Sequence, residues 1–226
     1  MLLHLETATA VCSAALSTNG ILVGYRQSAE PRAHAAVLTV FIDELLAEAG
    51  ITAYDVDAVS LSAGPGSYTG LRIASSVAKG FCYAAGKPLI ALNTLQLMAS
   101  GFVQENNPEG DYLICPMIDA RRDEVYSALY NSRLEEVKAP APELITSDSY
   151  ADVLVDKPIY FIGDGAVKFA ALIGEKPNAN FNPEFFLKAK HQILLATEKF
   201  ANKTFEDVAY FEPDYLKEFY TTAKKV

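Results

Sequence analysis

Val59–Ser60–Leu61–Ser62–Ala63–Gly64–Pro65–Gly66–Ser67–Tyr68–Thr69–Gly70–Leu71–Arg72 runs from a strand through a glycine-rich loop into a helix. Val56 to Leu61 is mostly apolar and partly β-branched, as a buried strand requires. Gly64, Pro65, Gly66 and Gly70 are spaced too closely for a regular element, so the chain turns there. Beyond the turn, Ala74, Val77, Ala78, Phe81, Cys82 and Ala85 recur on one face of a helix over Ile73–Ala85. Arg72, Ser75, Ser76, Lys79 and Tyr83 fall on the other face, and Ser67 or Thr69 is placed to cap the first turn.

Three meanings are open for this loop. A helix N-terminus with free N–H groups attracts anions, which makes a phosphate cradle one of them. A Walker A loop is excluded, because no Gly-Lys-Ser/Thr follows. A dinucleotide fingerprint fits poorly, since the glycines fall as G-x-G-x-x-x-G and the next strand, Leu89–Leu92, ends in Asn93 rather than an acid. The third meaning is structural: the glycines let strand and helix pack closely.

Working outward, the 226 residues allow one large domain or two small lobes. Half the residues are hydrophobic and 21% charged, enough for a sizeable core. The net charge of −9 gives no electrostatic attraction to phosphates, so a nucleic acid would be met only with a partner's help. Met1–Leu5 lacks a basic flank and is expected to be a first strand, not a signal peptide. No apolar run reaches the length of a membrane span. Cys12, Cys82 and Cys115 are far apart and odd in number, which points to buried thiols in a reducing cytoplasm.

Upstream of the loop, Leu2–Glu6, Val11–Ser17 and Ile21–Gln27 are expected as strands, the last two joined by the Asn19–Gly20 turn. A helix from about Ala33 to Ala49 carries Val37, Leu38, Phe41, Ile42, Leu45 and Leu46 as its apolar stripe and ends at Gly50. Downstream come the strand Leu89–Leu92 and a short helix Thr94–Gly101 capped by Asn93. The polar stretch Gln104–Gly110 then breaks the chain, and the pattern restarts. Leu113–Asp119, Glu124–Tyr130 and Leu134–Lys138 are the new strands, followed by an extended loop at Ala139–Pro142 and a weak helix at Ser149–Val155. Pro158–Ile162, the turn Gly163–Asp164–Gly165 and the helix Ala166–Ile173 complete the repeat. A loop at Lys176–Pro183, a long helix at Glu184–Ala201 and a tail at Pro213–Tyr220 close the chain. The shared plan predicts two similar lobes, residues 1–103 and 104–226, with a cleft between them.

In such an architecture a nucleotide sits between the lobes, against the first hairpin of each, and strand-end acids hold its metal. The candidates are Glu6 with Thr7 and Thr9, and Asp119 with Arg121 and Arg122. Both hairpin turns lack glycine, which keeps the backbone away from a phosphate. Polar strand ends with no catalytic task are the plainer reading. His4, His34 and His191 are too scattered for a metal site, and Ser67 is not in a G-x-S-x-G elbow. No catalytic residue is assigned. An ATP-dependent small-molecule kinase of the two-lobed type remains the alternative to a binding role.

Leu61–Ile73 with Ala78–Lys79–Gly80 resembles the signature of the TsaB (YeaZ) family. Ile118–Asp119–Ala120–Arg121–Arg122–Asp123–Glu124–Val125–Tyr126, Gly163–Asp164–Gly165–Ala166 and the opening Leu5–Glu6–Thr7–Ala8–Thr9 are similar to that family too, which usually has Asp for Glu6 and Ser for Ala8. The resemblance covers nearly the whole chain, with little added after about Asn178. It implies an α/β, actin-like (ASKHA, ribonuclease H-like) two-lobed fold with mixed sheets flanked by helices and a shortened second lobe. It implies a non-catalytic scaffold role in forming N6-threonylcarbamoyladenosine at position 37 of tRNA. The partners it implies are the paralogue TsaD and the ATPase TsaE, with tRNA met only through the complex and a homodimer when TsaD is absent. TsaD carries a metal-binding HxxxH after the strand equivalent to Leu89–Leu92; here Thr94 and Met98 stand in its place, and no resident cofactor is expected. Relatives associate through first-lobe helices, which points to Ala36, Val40, Arg72, Ser75, Ser76, Lys79 and Tyr83 as the partner face. Glu6, Thr7, Thr9, Asp119 and Arg121 would then be a vestigial nucleotide-binding set, and Gly64, Pro65, Gly66 and Gly70 a structural loop.

Overall fold

The structure, a computed structural model, describes residues 1–30 and 33–217. Of the tail expected at Pro213–Tyr220, Glu218–Tyr220 lie outside the described residues. Strands β1 (Leu2–Glu6), β2 (Cys12–Thr18) and β3 (Ile21–Ser28) form an antiparallel meander. Asn19 and Gly20 both take positive φ, 49° and 77°, as a tight hairpin turn demands. Helix α1 (His34–Ala49) leads through a 3-10 turn to β4 (Ala58–Gly64), then α2 (Tyr68–Ala85), β5 (Leu89–Asn93) and α3 (Thr94–Asn106). β4 pairs parallel with both β1 and β5, giving the order β3-β2-β1-β4-β5.

The second half repeats this plan: β6 (Leu113–Asp119), β7 (Glu124–Asn131), β8 (Glu136–Leu144), α4 (Ala151–Asp156), β9 (Ile159–Ile162), α5 (Gly165–Ile173) and β10 (Ala179–Asn182). Its sheet order is β10-β9-β6-β7-β8, and the pairings match the first sheet one for one in direction. Two ribonuclease H-like lobes in tandem make the actin-like fold. The second sheet is complete; its economy lies in the helices, with α4 only six residues and α5 nine.

Three apolar cores hold the layers together. Leu38, Ile42, Leu45, Ala74, Ala78 and Cys82 of α1 and α2 bury against Leu3, Leu5, Val59 and Leu61. Phe161, Phe169, Leu154 and Tyr150 fill the outer side of the second sheet, with the Phe161 and Phe169 rings edge to face at 4.8 Å. The third core lies between the sheets, where Leu95, Met98 and Phe102 of α3 meet Ile90, Leu92, Ile114, Ile118 and Ile162. Burying each such leucine fully stabilises by about 1.5–3 kcal/mol. Cys12, Cys82 and Cys115 are buried and unpaired, and burial pushes their thiols up to about 11, 12 and 12.

The structure corrects the sequence expectation at four places. α3 continues to Asn106, beyond the expected end at Gly101, because Phe102 is drawn into the shared core. β8 runs through Ala139–Pro142, expected as a loop; as an edge strand it tolerates Pro140 and Pro142. β10 forms inside the expected loop Lys176–Pro183, recruited by the free edge of β9. The long helix expected at Glu184–Ala201 is confined to a 3-10 turn (Ala189–Gln192) and α6 (Ile193–Ala201). Ahead of it the chain is extended, so that Phe185 and Leu187 enter the shared core while Phe186 stays 38% exposed.

Candidate functional site

β1 delivers Glu6 to its end, and Glu6 is fully buried. Its Oε1 accepts from the N–H of Ala8 at 2.7 Å, and its Oε2 accepts from Ser62 Oγ and from Gln192 Nε2, the latter at 3.2 Å. Burial pushes the Glu6 carboxyl above the ordinary carboxylate range, against the pull of these donors. Gln192 sits at the end of the 3-10 turn from the second half of the chain and is itself fully buried. Its Nε2 also donates to the carbonyl of Leu5 at 2.7 Å, which fixes the orientation of the amide. Its Oε1 accepts from Ser60 Oγ at 2.7 Å. Ser60 Oγ therefore accepts from Nδ1–H of His4 at 2.7 Å, and Nε2 of His4 accepts from Ser17 Oγ at 2.7 Å. His4 is held neutral, with burial lowering it to about 3. The strand-end acid is thus closed off by the chain's own side chains.

Thr7 is also fully buried, with Oγ1 donating to the carbonyl of Gly70 at 2.7 Å. Thr9 is half-buried, and its carbonyl accepts from His34 Nε2 at 3.1 Å. The β1–β2 hairpin lies tight against the loop after β4. A Cβ on Gly70 would come within 1.9 Å of the Thr7 carbonyl oxygen, and one on Gly66 within 2.6 Å of that of Ala8. Ser67 N donates to Ala8 O at 2.8 Å, and Ser67 Oγ caps α2 by accepting from Gly70 N at 3.2 Å. The loop is filled by its own hairpin.

Asp119, at the end of β6, is exposed, unlike Glu6. Its Oδ1 accepts from Lys168 Nζ at 2.5 Å and from Arg121 N at 2.6 Å, and its own N–H donates to Asp164 Oδ1 at 3.0 Å. Burial pushes the Asp164 carboxyl up. Arg121 and Arg122 stand exposed at the hairpin tip with φ of 67° and 54°, a left-handed conformation reached without glycine. Thr94 and Met98 lie buried in and beside the shared core. Among the described residues, no three His, Cys, Asp or Glu side chains converge in a metal-ligating group, and no helix is long and apolar enough to cross a membrane.

The residues expected to face a partner divide into three. Ala36 and Ser76 are exposed, as are Val40 (50%) and Tyr83 (86%), on the outer sides of α1 and α2. Ser75 is buried at 7% and turned inward. Arg72 and Lys79 are engaged by residues 206–217, of which the sequence predicts only a tail from Pro213 onward and none of these contacts. Arg72 stacks over Tyr68 at 4.0 Å and donates from Nε to Tyr215 Oη at 3.2 Å. Lys79 Nζ donates to the carbonyls of Ala209 and Phe211 at 3.1 and 2.9 Å. A cavity of about 430 Å³ is lined jointly by Gly64, Asn93 and this segment, Glu206 and Tyr210 among its residues. Ahead of Pro213 the sequence signal for the segment is sparse, with Tyr210 and Phe211 too isolated for a periodic reading.

The comparisons with known proteins agree with this geometry. Residues 28–224 match the family model described as TsaD, tRNA N6-adenosine threonylcarbamoyltransferase. The chain is 35% identical over 129 residues to the tRNA threonylcarbamoyladenosine biosynthesis protein TsaB of Escherichia coli, an alignment covering 57% of this chain and 54% of that protein. It is 30% identical over 185 residues to the protein of the same name from Bacillus subtilis, covering 78% and 76%. The chain spans about half the length of the Escherichia coli relative and of the one from Haemophilus influenzae, 54% and 51%. Among solved structures, YeaZ from Pseudomonas aeruginosa superposes with a TM-score of 0.79 at 28% identity, covering 95% of this chain and 99% of that one.

Proposed function

We propose that this chain, which belongs to the TsaB family, is a non-catalytic subunit acting in the threonylcarbamoylation of adenosine 37 in tRNA. It works by pairing with TsaD, the transferase, in an assembly that includes TsaE. The observation that carries this reading is the contact between Gln192 and Glu6. A kinase of this fold needs its strand-end acid open to a nucleotide's metal, and here that acid is covered by a buried amide from the same chain. The hairpin that would approach a phosphate is pressed instead into the glycine loop. The exposed parts of α1 and α2 supply what a partner needs: small residues at Ala36 and Ser76 for close approach and an aromatic anchor at Tyr83. The net charge of −9 supports contact with tRNA through the assembly rather than directly. The same helix face serves a homodimer when TsaD is absent, and the two associations exclude one another.

The test is to mix the purified protein with TsaD and measure association by calorimetry, alongside ATP turnover by the protein alone. Association with TsaD and no turnover supports the scaffold reading. Sustained hydrolysis or phosphoryl transfer by the isolated chain overturns it in favour of a kinase.

A further inference from the structure

The segment 206–217 leaves the end of the second half and returns to the first. Glu206 N donates to Leu89 O at 2.9 Å, adding an isolated antiparallel bridge to the edge of β5. The chain then passes α2, where Lys79 holds two carbonyls two residues apart, those of Ala209 and Phe211. Phe211 is buried at 9% in the first lobe's core. Asp214 N donates to Ala63 O at 2.7 Å, and Asp214 O lies where a side chain on Gly64 would be, 2.2 Å from its Cβ position. Tyr215 packs on Tyr68 with ring centroids 4.8 Å apart, under Arg72. Two residues later the chain crosses to the second lobe: Lys217 pairs with Glu124, the first residue of β7, and lies 5.8 Å from the Tyr126 ring.

One short segment therefore touches the glycine loop of the first lobe and the first hairpin of the second. We propose that residues 206–217 are a clasp between the two lobes, which, beyond the shared core, holds the glycine loop and the β6–β7 hairpin at a fixed separation. Its two ends differ in kind. The first-lobe end is apolar and hydrogen-bonded, with Phe211 buried. Among the described residues the second-lobe end is held by the Lys217 ammonium, through an ion pair between side chains 25% and 39% exposed and its approach to the Tyr126 ring, and salt and charge reversal weaken that pair. The clasp therefore opens from the Lys217 end while the first-lobe end stays seated. It rests on contacts within this chain and stands apart from the proposed role beside TsaD.

The experiment places spin labels on cysteines at Thr69, beside the glycine loop, and Asp123, in the β6–β7 turn, both exposed. The native cysteines are buried and do not compete for label. The clasp predicts one narrow distance distribution in the otherwise unaltered protein. Lys217→Glu widens it roughly twofold, as does salt at about 1 M, where screening reaches about 3 Å. Glu124→Lys combined with Lys217→Glu restores the narrow distribution, because the pair is re-formed with its charges exchanged. Tyr215→Ala frees the first-lobe end instead and speeds hydrogen exchange at the Asp214 N–H. An unchanged distribution in Lys217→Glu, or a double variant as broad as the single one, overturns the clasp.

Discussion

Gln192 and Glu6, 186 positions apart in sequence, meet at 3.2 Å in a site from which water is excluded. The amide satisfies three groups at once: the Glu6 carboxyl, the Leu5 carbonyl and the Ser60 hydroxyl. Gln192→Ala removes one partner from each, although Glu6 keeps Ala8 N–H and Ser62 and Ser60 keeps His4; a buried group left unsatisfied costs about 1–3 kcal/mol, and the cavity adds to that. We expect a loss of about 2–4 kcal/mol in urea unfolding. A loss under about 0.5 kcal/mol, the range of ordinary surface changes, would mean that water replaces the amide and the site is not sealed.

The glycines of the loop predict a graded series. Gly70→Val forces a side chain into the Thr7 carbonyl and Gly66→Val into that of Ala8, each losing roughly 1–3 kcal/mol, with Gly70 the worse. Gly80, on the same helix, has open space where its Cβ would stand. Gly80→Ala should therefore stabilise by up to about 1 kcal/mol through helix propensity. Thermal melts of the three variants check the order.

Acid should unfold the protein from an unusually mild pH. His4 and His191 are both buried, and burial lowers them to about 3 and about 4. An unfolded imidazole takes a proton near pH 6.5, so between 6.5 and 4 the unfolded state binds more protons than the folded one. Stability is present above 6.5 and lost as pH falls, by up to about 1.4 kcal/mol per pH unit for each histidine. At neutral pH the contact of His191 with Glu105 is accordingly a hydrogen bond to a neutral ring, not an ion pair. Glu6 works the other way: its raised carboxyl contributes stability that is full below the unfolded value and lost as pH rises. His4→Gln should flatten the melting temperature between pH 6.5 and 5 relative to the unaltered protein.

Ser76→Arg should weaken association with TsaD and with a second copy roughly tenfold or more while leaving the melt unchanged, because it adds a charged bulk to an exposed helix face. Lys79→Glu is a less clean probe, since Lys79 also holds the carbonyls of Ala209 and Phe211; it should lower stability as well as affinity. Titration calorimetry beside a thermal melt separates the two effects. Full affinity in Ser76→Arg would place the interface elsewhere.

Much of the fold was legible because its signals are local. The strand–loop–helix around Gly64–Gly70, the Asn19–Gly20 turn and the Asn93 cap, whose Oδ1 accepts from Leu95 N and Gln96 N, are each set by residues a few positions apart. The repeat was legible because both halves carry the same order of elements. What escaped was set by distant partners. β10 exists because β9 offers an edge, and Phe185–Leu187 is extended because the shared core takes alternate side chains. Gln192 is one polar residue beside an apolar run, and nothing near it announces Glu6 as its partner. The clasp depends on Lys79 reaching residues 130 and 132 positions away, so no window of sequence contains it.

β8 ends its sheet with Pro140 and Pro142 two positions apart, so the N–H groups missing from it belong to the same side of the strand. A strand arriving from another molecule needs those donors in register to extend the ladder. This border of the second sheet is a poor template for fibril growth, and crowded copies of the protein are steered away from sheet extension there.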